Sequence, residues 1–261
     1  MSIGRTALER LGRNTIFRRR LPERYESREI YVSPDAQLKY LKPGQRAFDS
    51  ELLRIVDQHV HESSVVWDIG ANVGVFAFAA SSVARSGMTL AVEPDVWLAS
   101  LMRRSLRLPS NHHLPLTVLP AAVSDRNGIA TFAIAQRGRA SNALESVGGR
   151  TQAGGIRERL TVPTLTLDTL LNFGAPPTFL KVDVEGAETL VLRGAEQVLR
   201  KARPIIYIEV GSEHSEEVGA LLRDHQYVLF DGATYTHDSA QPLDRCVFNT
   251  LAVPSGTWSP R

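Results

Sequence analysis

Val65-Val66-Trp67-Asp68-Ile69-Gly70-Ala71-Asn72-Val73-Gly74 is an apolar run broken by one acid and then by two glycines. The run is short enough for a buried parallel strand, and Val75-Phe76-Ala77-Phe78-Ala79-Ala80 continues it as an apolar helix. Gly70 and Gly74 let the connecting turn bring its backbone close to a ligand, which a Cβ would hinder. A second apolar run, from Thr89 to Val92, closes on Glu93, 23 residues after Gly70. In nucleotide-binding α/β folds an acid about 20 residues beyond the glycine turn takes the ribose hydroxyls. Turn and acid together predict a bound nucleoside.

The turn departs from the dinucleotide fingerprint, whose middle glycine lets a pyrophosphate sit on the helix N-terminus. Asn72 stands where that glycine would fall, and the Asp68 carboxylate would repel a pyrophosphate. A ligand with an ammonium, a sulfonium and a ribose fits better, which describes S-adenosylmethionine rather than NAD.

Strands and helices alternate through the rest of the chain, which predicts a mostly parallel sheet covered on both faces. Further strands are expected at 89–93, 116–123, 178–184, 204–210, 227–230 and 248–253, with helices from Ser50 to His61 and from Asp95 to about Leu108. Residues 136–159 are rich in Gly, Arg and Gln with little periodicity, and read as a mobile loop. Acids close several of the apolar runs: Asp68, Glu93, Asp183 and Glu209. Open α/β sheets bind ligands at these carboxyl ends, and a buried charge needs a partner, so the four point to one site. Lys181 and Asp183 are two apart on a strand and share a face.

Composition narrows the class. The chain has 261 residues, 43% of them hydrophobic, enough for a core, and a net charge of +2 is too mild to imply nucleic acid. One cysteine, Cys246, allows no disulfide framework, and no apolar run is long enough to span a membrane. With no apolar signal-like start, a cytoplasmic protein is expected. Residues 1–28 carry eight arginines against Glu9, Glu23 and Glu26. They read either as a solvated arm or as a docking segment for an anionic substrate. The organisation expected is a basic N-terminal extension over 1–47 and a catalytic domain over 48–261.

Asp68-Ile-Gly-Ala-Asn-Val-Gly74, Glu93-Pro94, Ala121-Ala-Val-Ser-Asp125, Leu167-Asp168, Lys181-Val-Asp-Val-Glu-Gly-Ala-Glu188 and Ile208-Glu209 resemble, in this order, the motifs of FkbM-type methyltransferases. The resemblance covers roughly Phe48 to Pro254. It implies the class I (Rossmann-like) methyltransferase fold, α/β with a seven-stranded, mostly parallel sheet whose last strand is antiparallel. It also implies S-adenosylmethionine as cofactor and methyl transfer to oxygen, commonly a hydroxyl of a sugar or secondary metabolite. Carried over, Asp68, Gly70, Ala71, Asn72 and Gly74 hold the methionine end, and Glu93 with Pro94 the ribose. Ala122 and Val123 lie against the adenine with Asp125 nearby, and Lys181, Asp183 and Glu185 face the transferring methyl, with Glu209 across the cleft.

The chemistry asks for geometry and a proton acceptor. Transfer is an in-line displacement that gains most from holding the reactants, and an aliphatic hydroxyl needs a base to take its proton. Asp183 is the first candidate for that base, with Glu209 and His214 as alternatives. The same three are an alternative ligand set for a divalent cation, although no paired His or Cys spacing supports a metal. Ser141 and Asn142 are candidate acceptor contacts. Two competing readings are an NAD-dependent oxidoreductase and a nucleoside-binding domain that serves a partner without catalysis. The expected partner is a small-molecule or glycan acceptor, with no nucleic acid and no membrane span.

Overall fold

The computed structural model describes residues 12–13, 15–136, 138–145, 155–236 and 240–257. The chain opens with a hairpin, β1 (Phe17–Arg20) and β2 (Glu29–Val32), followed by short 3₁₀ turns and helix α1 (Ser50–His59). Then come β3 (Val65–Ile69), α2 (Val75–Val83), β4 (Met88–Val92), α3 (Val96–Leu106) and β5 (Leu116–Leu119). A small second sheet draws on β6 (Ala122–Val123), β7 (Gly128–Ala135), β8 (Ala143–Leu144) and β9 (Ile156–Leu165). The chain returns through α4 (Leu167–Leu170), β10 (Phe179–Val182), α5 (Glu188–Arg193), β11 (Ile205–Glu209), α6 (Ser215–Asp224), β12 (Tyr227–Asp231) and β13 (Asn249–Pro254).

The main sheet has seven strands in the order β12-β13-β11-β10-β3-β4-β5. It is mixed: β13 runs antiparallel to both β11 and β12, while β11, β10, β3, β4 and β5 pair in parallel. Alternation along each strand sends side chains into two cores. Phe179 and Tyr207 join Phe76 and Phe78 of α2 on one face, and Leu180, Val182, Ile206 and Ile208 join Val191 and Leu192 of α5 on the other. Helix starts follow local chemistry: Asp49 caps α1 through the Glu51 amide, and Asp95 caps α3 through the Trp97 amide.

Three expectations change. The strand expected over 116–123 breaks in two at Pro120, which has no N–H for a ladder, and β6 leaves the main sheet to pair with β9. The loop expected over 136–159 is partly ordered structure: 139–141 form a 3₁₀ turn, β8 follows, and β9 begins at Ile156 and pairs along β7. Residues 137 and 146–154 of that stretch lie outside the described residues. The pairing that orders β9 comes from a strand about thirty residues earlier, which periodicity within 136–159 does not reveal.

The basic N-terminal stretch is built into the fold from Phe17 onward, whereas residues 1–11 and 14 lie outside the described residues. Leu21, Tyr25, Ile30, Val32, Ala36 and Tyr40 are buried in the same core as α2. Arg18 and Arg20 pair with Glu29 across the hairpin, Arg24 with Asp57, and buried Arg28 with Glu26. The segment is thus packed on the core rather than a loose arm, although Arg18, Arg20 and Arg24 keep their side chains exposed to solvent.

The β3–α2 turn leaves no slack. Gly70 sits at φ 78°, and a Cβ there would run into the backbone carbonyl of Asp183 at the end of β10. Gly70→Ala therefore combines a left-handed backbone with a clash against main chain, and should cost more than about 3 kcal/mol in urea unfolding. A loss within about 0.5 kcal/mol would show that the turn has room.

Candidate active site

A cleft of about 270 Å³ runs along the carboxyl ends of β11, β10, β3, β4 and β6 and the amino end of the antiparallel β13. Its two halves differ in chemistry.

At the β4 end, Gly70 and Ala71 amides donate to the Val92 carbonyl at 2.9 and 3.1 Å, fixing the turn against β4. Asn72 takes φ 55°, a conformation asparagine tolerates better than most residues, and its side-chain oxygen accepts from the Val73 amide at 2.8 Å. The Asn72 amide donates to Glu93 at 2.7 Å, and the other Glu93 oxygen accepts from the Asp95 amide at 2.8 Å. Glu93 is 5% exposed, and burial pushes its carboxyl up to about 8 against those two donors. Each of its oxygens keeps a second lone pair for a ligand hydroxyl. Beside it Pro94, Leu98, Ala121, Ala122, Val123, Phe132 and Leu144 form an apolar slot. The Asn142 amide group donates to Asp95 at 3.0 Å, and Arg139 pairs with both Asp95 and Asp35 and lies over the Trp97 ring. A buried ion network thus ties the N-terminal segment and the second sheet to α3.

At the β10 end, Asp68 is fully buried and pairs with Lys181 across the β3–β10 register at 3.1 Å. The Lys181 ammonium also donates to the Gly70 carbonyl at 3.4 Å and lies 3.5 Å from Asp183. Burial opposes its charge, but Asp68, then Asp183 and Glu209, outweigh that and hold it protonated. Burial, together with the neighbouring Asp183 charge, pushes Glu209 up to about 8. Glu185 stands at φ 51° in the sharp loop after β10 and lines the cleft.

Most residues expected from sequence line this cleft: Gly70, Ala71, Asn72, Glu93, Pro94, Ala122, Val123, Asn142, Lys181, Asp183, Glu185 and Glu209. Five do not. Asp68 lies beneath the floor, where one of its oxygens pairs with Lys181. Gly74 opens α2 against Met102 and Phe78. Asp125 faces Ser124 and Arg126, Ser141 is exposed on its 3₁₀ turn, and His214 precedes α6 outside the cleft. Asn142 lies at the Glu93 end rather than beside Asp183. Asp183, Glu209 and His214 form no metal-binding group among the described residues.

Sequence reasoning missed the wall formed by Gln37, Lys39, Tyr40, Asp49, Glu51, Tyr207, Phe248 and Asn249. One signal was available: Tyr207 lies two residues before Glu209 on a strand and therefore shares its face. Glu51 looked like an ordinary acid in the first turn of a helix.

The match to the methyltransferase FkbM domain spans residues 68–236, from the buried aspartate beneath the turn to just beyond β12. The chain belongs to the FkbM methyltransferase family. A hexuronic acid methyltransferase, AglP of Haloferax volcanii, is 26% identical over 197 residues, covering 69% of this chain and 76% of the relative. Two solved structures are more distant. A methyltransferase FkbM from Methylobacillus flagellatus is 15% identical at a TM-score of 0.46, and 74% of this chain matches 44% of that one. A SAM-dependent O-methyltransferase from Thermotoga maritima is 12% identical at 0.44, covering 87% of this chain and 74% of its own. FkbM membership sets aside the NAD oxidoreductase reading.

Asp68→Asn should destabilise the protein by about 3 kcal/mol, because it leaves the Lys181 charge buried with a weaker partner. Adding Lys181→Met should recover much of that loss in urea unfolding; a single variant as stable as wild type would mean the pair is not tight. Glu209 provides a pH test. A carboxyl whose folded pKa lies above its ordinary 4.5 contributes stability that is lost as pH rises toward 8. Glu209→Gln should therefore raise Tm relative to wild type at pH 8.5 and change it little at pH 5. An equal effect at both would exclude the burial cost.

Proposed function

We propose that the protein transfers the methyl group of S-adenosylmethionine to a hydroxyl oxygen of a sugar or secondary metabolite. The observation that carries this is the juxtaposition, in one cleft, of an apolar slot beside Glu93 and a carboxylate, Asp183, beside Lys181. The slot fits an adenine, with Ala122 and Val123 against the ring. Glu93 fits the ribose diol, and the Gly70–Asn72 turn fits the methionine end. When bound, S-adenosylmethionine supplies an electrophilic methyl; the acceptor oxygen bonds to it, the carbon–sulfur bond breaks, and the hydroxyl proton must be taken up by the protein.

Asp183 is assigned that proton. Its side chain is partly exposed to the cleft and lies 3.5 Å from the Lys181 ammonium, within reach of an acceptor hydroxyl. Glu209, with its proton affinity raised to about 8, is mostly protonated at neutral pH in the free protein and makes the poorer acceptor. Glu209 instead orients the acceptor hydroxyl toward Asp183. The sugar acceptor draws support from the name of the Haloferax volcanii relative. The readings differ in what turnover shows, since a partner-serving domain without catalysis transfers no methyl group.

Asp183→Asn keeps the shape of the side chain but not its basicity, so methyl transfer measured by product mass should fall about 10²–10⁴-fold with cofactor affinity little changed. Glu209→Gln should cost less. A folded Asp183→Asn enzyme with near-normal turnover would move the base to Glu209.

A further inference from the structure

The half of the cleft at β10, β11 and β13 is unbalanced in charge. Asp49, Glu51, Asp183, Glu185 and Glu209 line it, against Lys39 and Lys181. Both ammoniums are already engaged by acids: Lys39 with Asp49 at 3.2 Å, and Lys181 with Asp68 beneath the floor. The hydrogen-bonding groups have the same bias. The Asn249 amide nitrogen donates to Glu51 at 2.7 Å, which fixes the orientation of that side chain and leaves its buried oxygen without a donor among the described residues. The Tyr207 hydroxyl donates to the same Glu51 oxygen at 3.2 Å. At the rim Phe248, 61% exposed, contributes an aromatic face to the cleft.

We propose that this end of the cleft selects an acceptor rich in hydrogen-bond donors and free of negative charge near the methylated hydroxyl: a neutral or amino sugar rather than a uronic acid. Glu51 is the specificity-determining carboxylate, and Phe248 is the surface on which the apolar face of the ring stacks. The inference rests on the methyl-transfer reading above and deepens it.

Three lines of physical chemistry converge on this selection. A carboxylate placed against like charges in a half-buried site is repelled, and the repulsion discriminates between partners more than it affects overall affinity. Hydroxyl and ammonium groups, by contrast, supply the donors that carboxylates and an unmet amide oxygen lack. Burial, and after it the neighbouring Asp183 charge, raise the proton affinity of Glu209, which agrees with a site where a further negative charge is costly. The likeness to a hexuronic acid methyltransferase therefore extends to the family and stops short of the acceptor.

The test is calorimetric, on the full chain saturated with S-adenosylhomocysteine, with methyl β-glucoside, methyl β-glucosaminide and methyl β-glucuronide as probes. The expected result is at least about tenfold weaker binding of the glucuronide than of either other glycoside, with the gap narrowing as salt rises. Glu51→Gln, checked for folding by circular dichroism, should bring the glucuronide closer to the glucoside. Phe248→Ala should weaken the glucoside and glucosaminide together. Glucuronide binding equal to or tighter than the glucoside overturns the inference, as does a salt-independent preference or failure of all three glycosides to bind the loaded enzyme. Failure of S-adenosylhomocysteine itself to bind overturns the methyl-transfer reading on which the inference rests.

Discussion

The buried pair between Asp68 and Lys181 is the constraint around which the site is arranged. It joins β3 to β10 where their carboxyl ends open into the cleft. Neither charge is tolerable alone at that depth, so each fixes the other. The ammonium then does two further things: it binds the Gly70 carbonyl from below and stands beside Asp183. The glycine turn and the Asp183 carboxylate at the mouth of the cleft are thus set by a single cation. Gly70 completes the arrangement, because the space a Cβ would need is occupied by the Asp183 main chain.

A second staple, Glu93, holds the other half. Its carboxylate accepts amides from two successive turns, after β3 and after β4, and so sets the distance between the slot and the ribose position. The Asp35, Arg139, Arg157 and Asp95 network closes the slot from outside and links it to the N-terminal segment. That segment also provides Tyr40, Asp49 and Glu51 to the acceptor half, so one stretch of chain touches both ends of the reaction.

What the sequence disclosed follows from locality. The βα alternation, the glycine turn, the acid after β4 and the acids after β10 and β11 are each written within a few residues, and each stands where expected. The burial of Asp68 was not legible, because a strand-terminal acid looks alike whether it lines a cleft or meets a buried lysine, and its partner Lys181 is more than a hundred residues away. The second sheet and the core role of Leu21, Tyr25 and Ile30 depend on pairing and burial between distant segments, and no local pattern carries that. His214 suited a base by its chemistry, but its place just before α6, which the sequence alone did not show, is not among the residues that line the cleft.

The account stands or falls on which nucleoside the cleft takes. Isothermal titration of the wild-type protein with S-adenosylhomocysteine and with NAD, repeated on Glu93→Ala, addresses it directly. The predicted result is one S-adenosylhomocysteine per chain, weakened by roughly 1.5–3 kcal/mol in the folded variant, and no binding of NAD. Tight NAD binding, or S-adenosylhomocysteine affinity unchanged by Glu93→Ala, would contradict it.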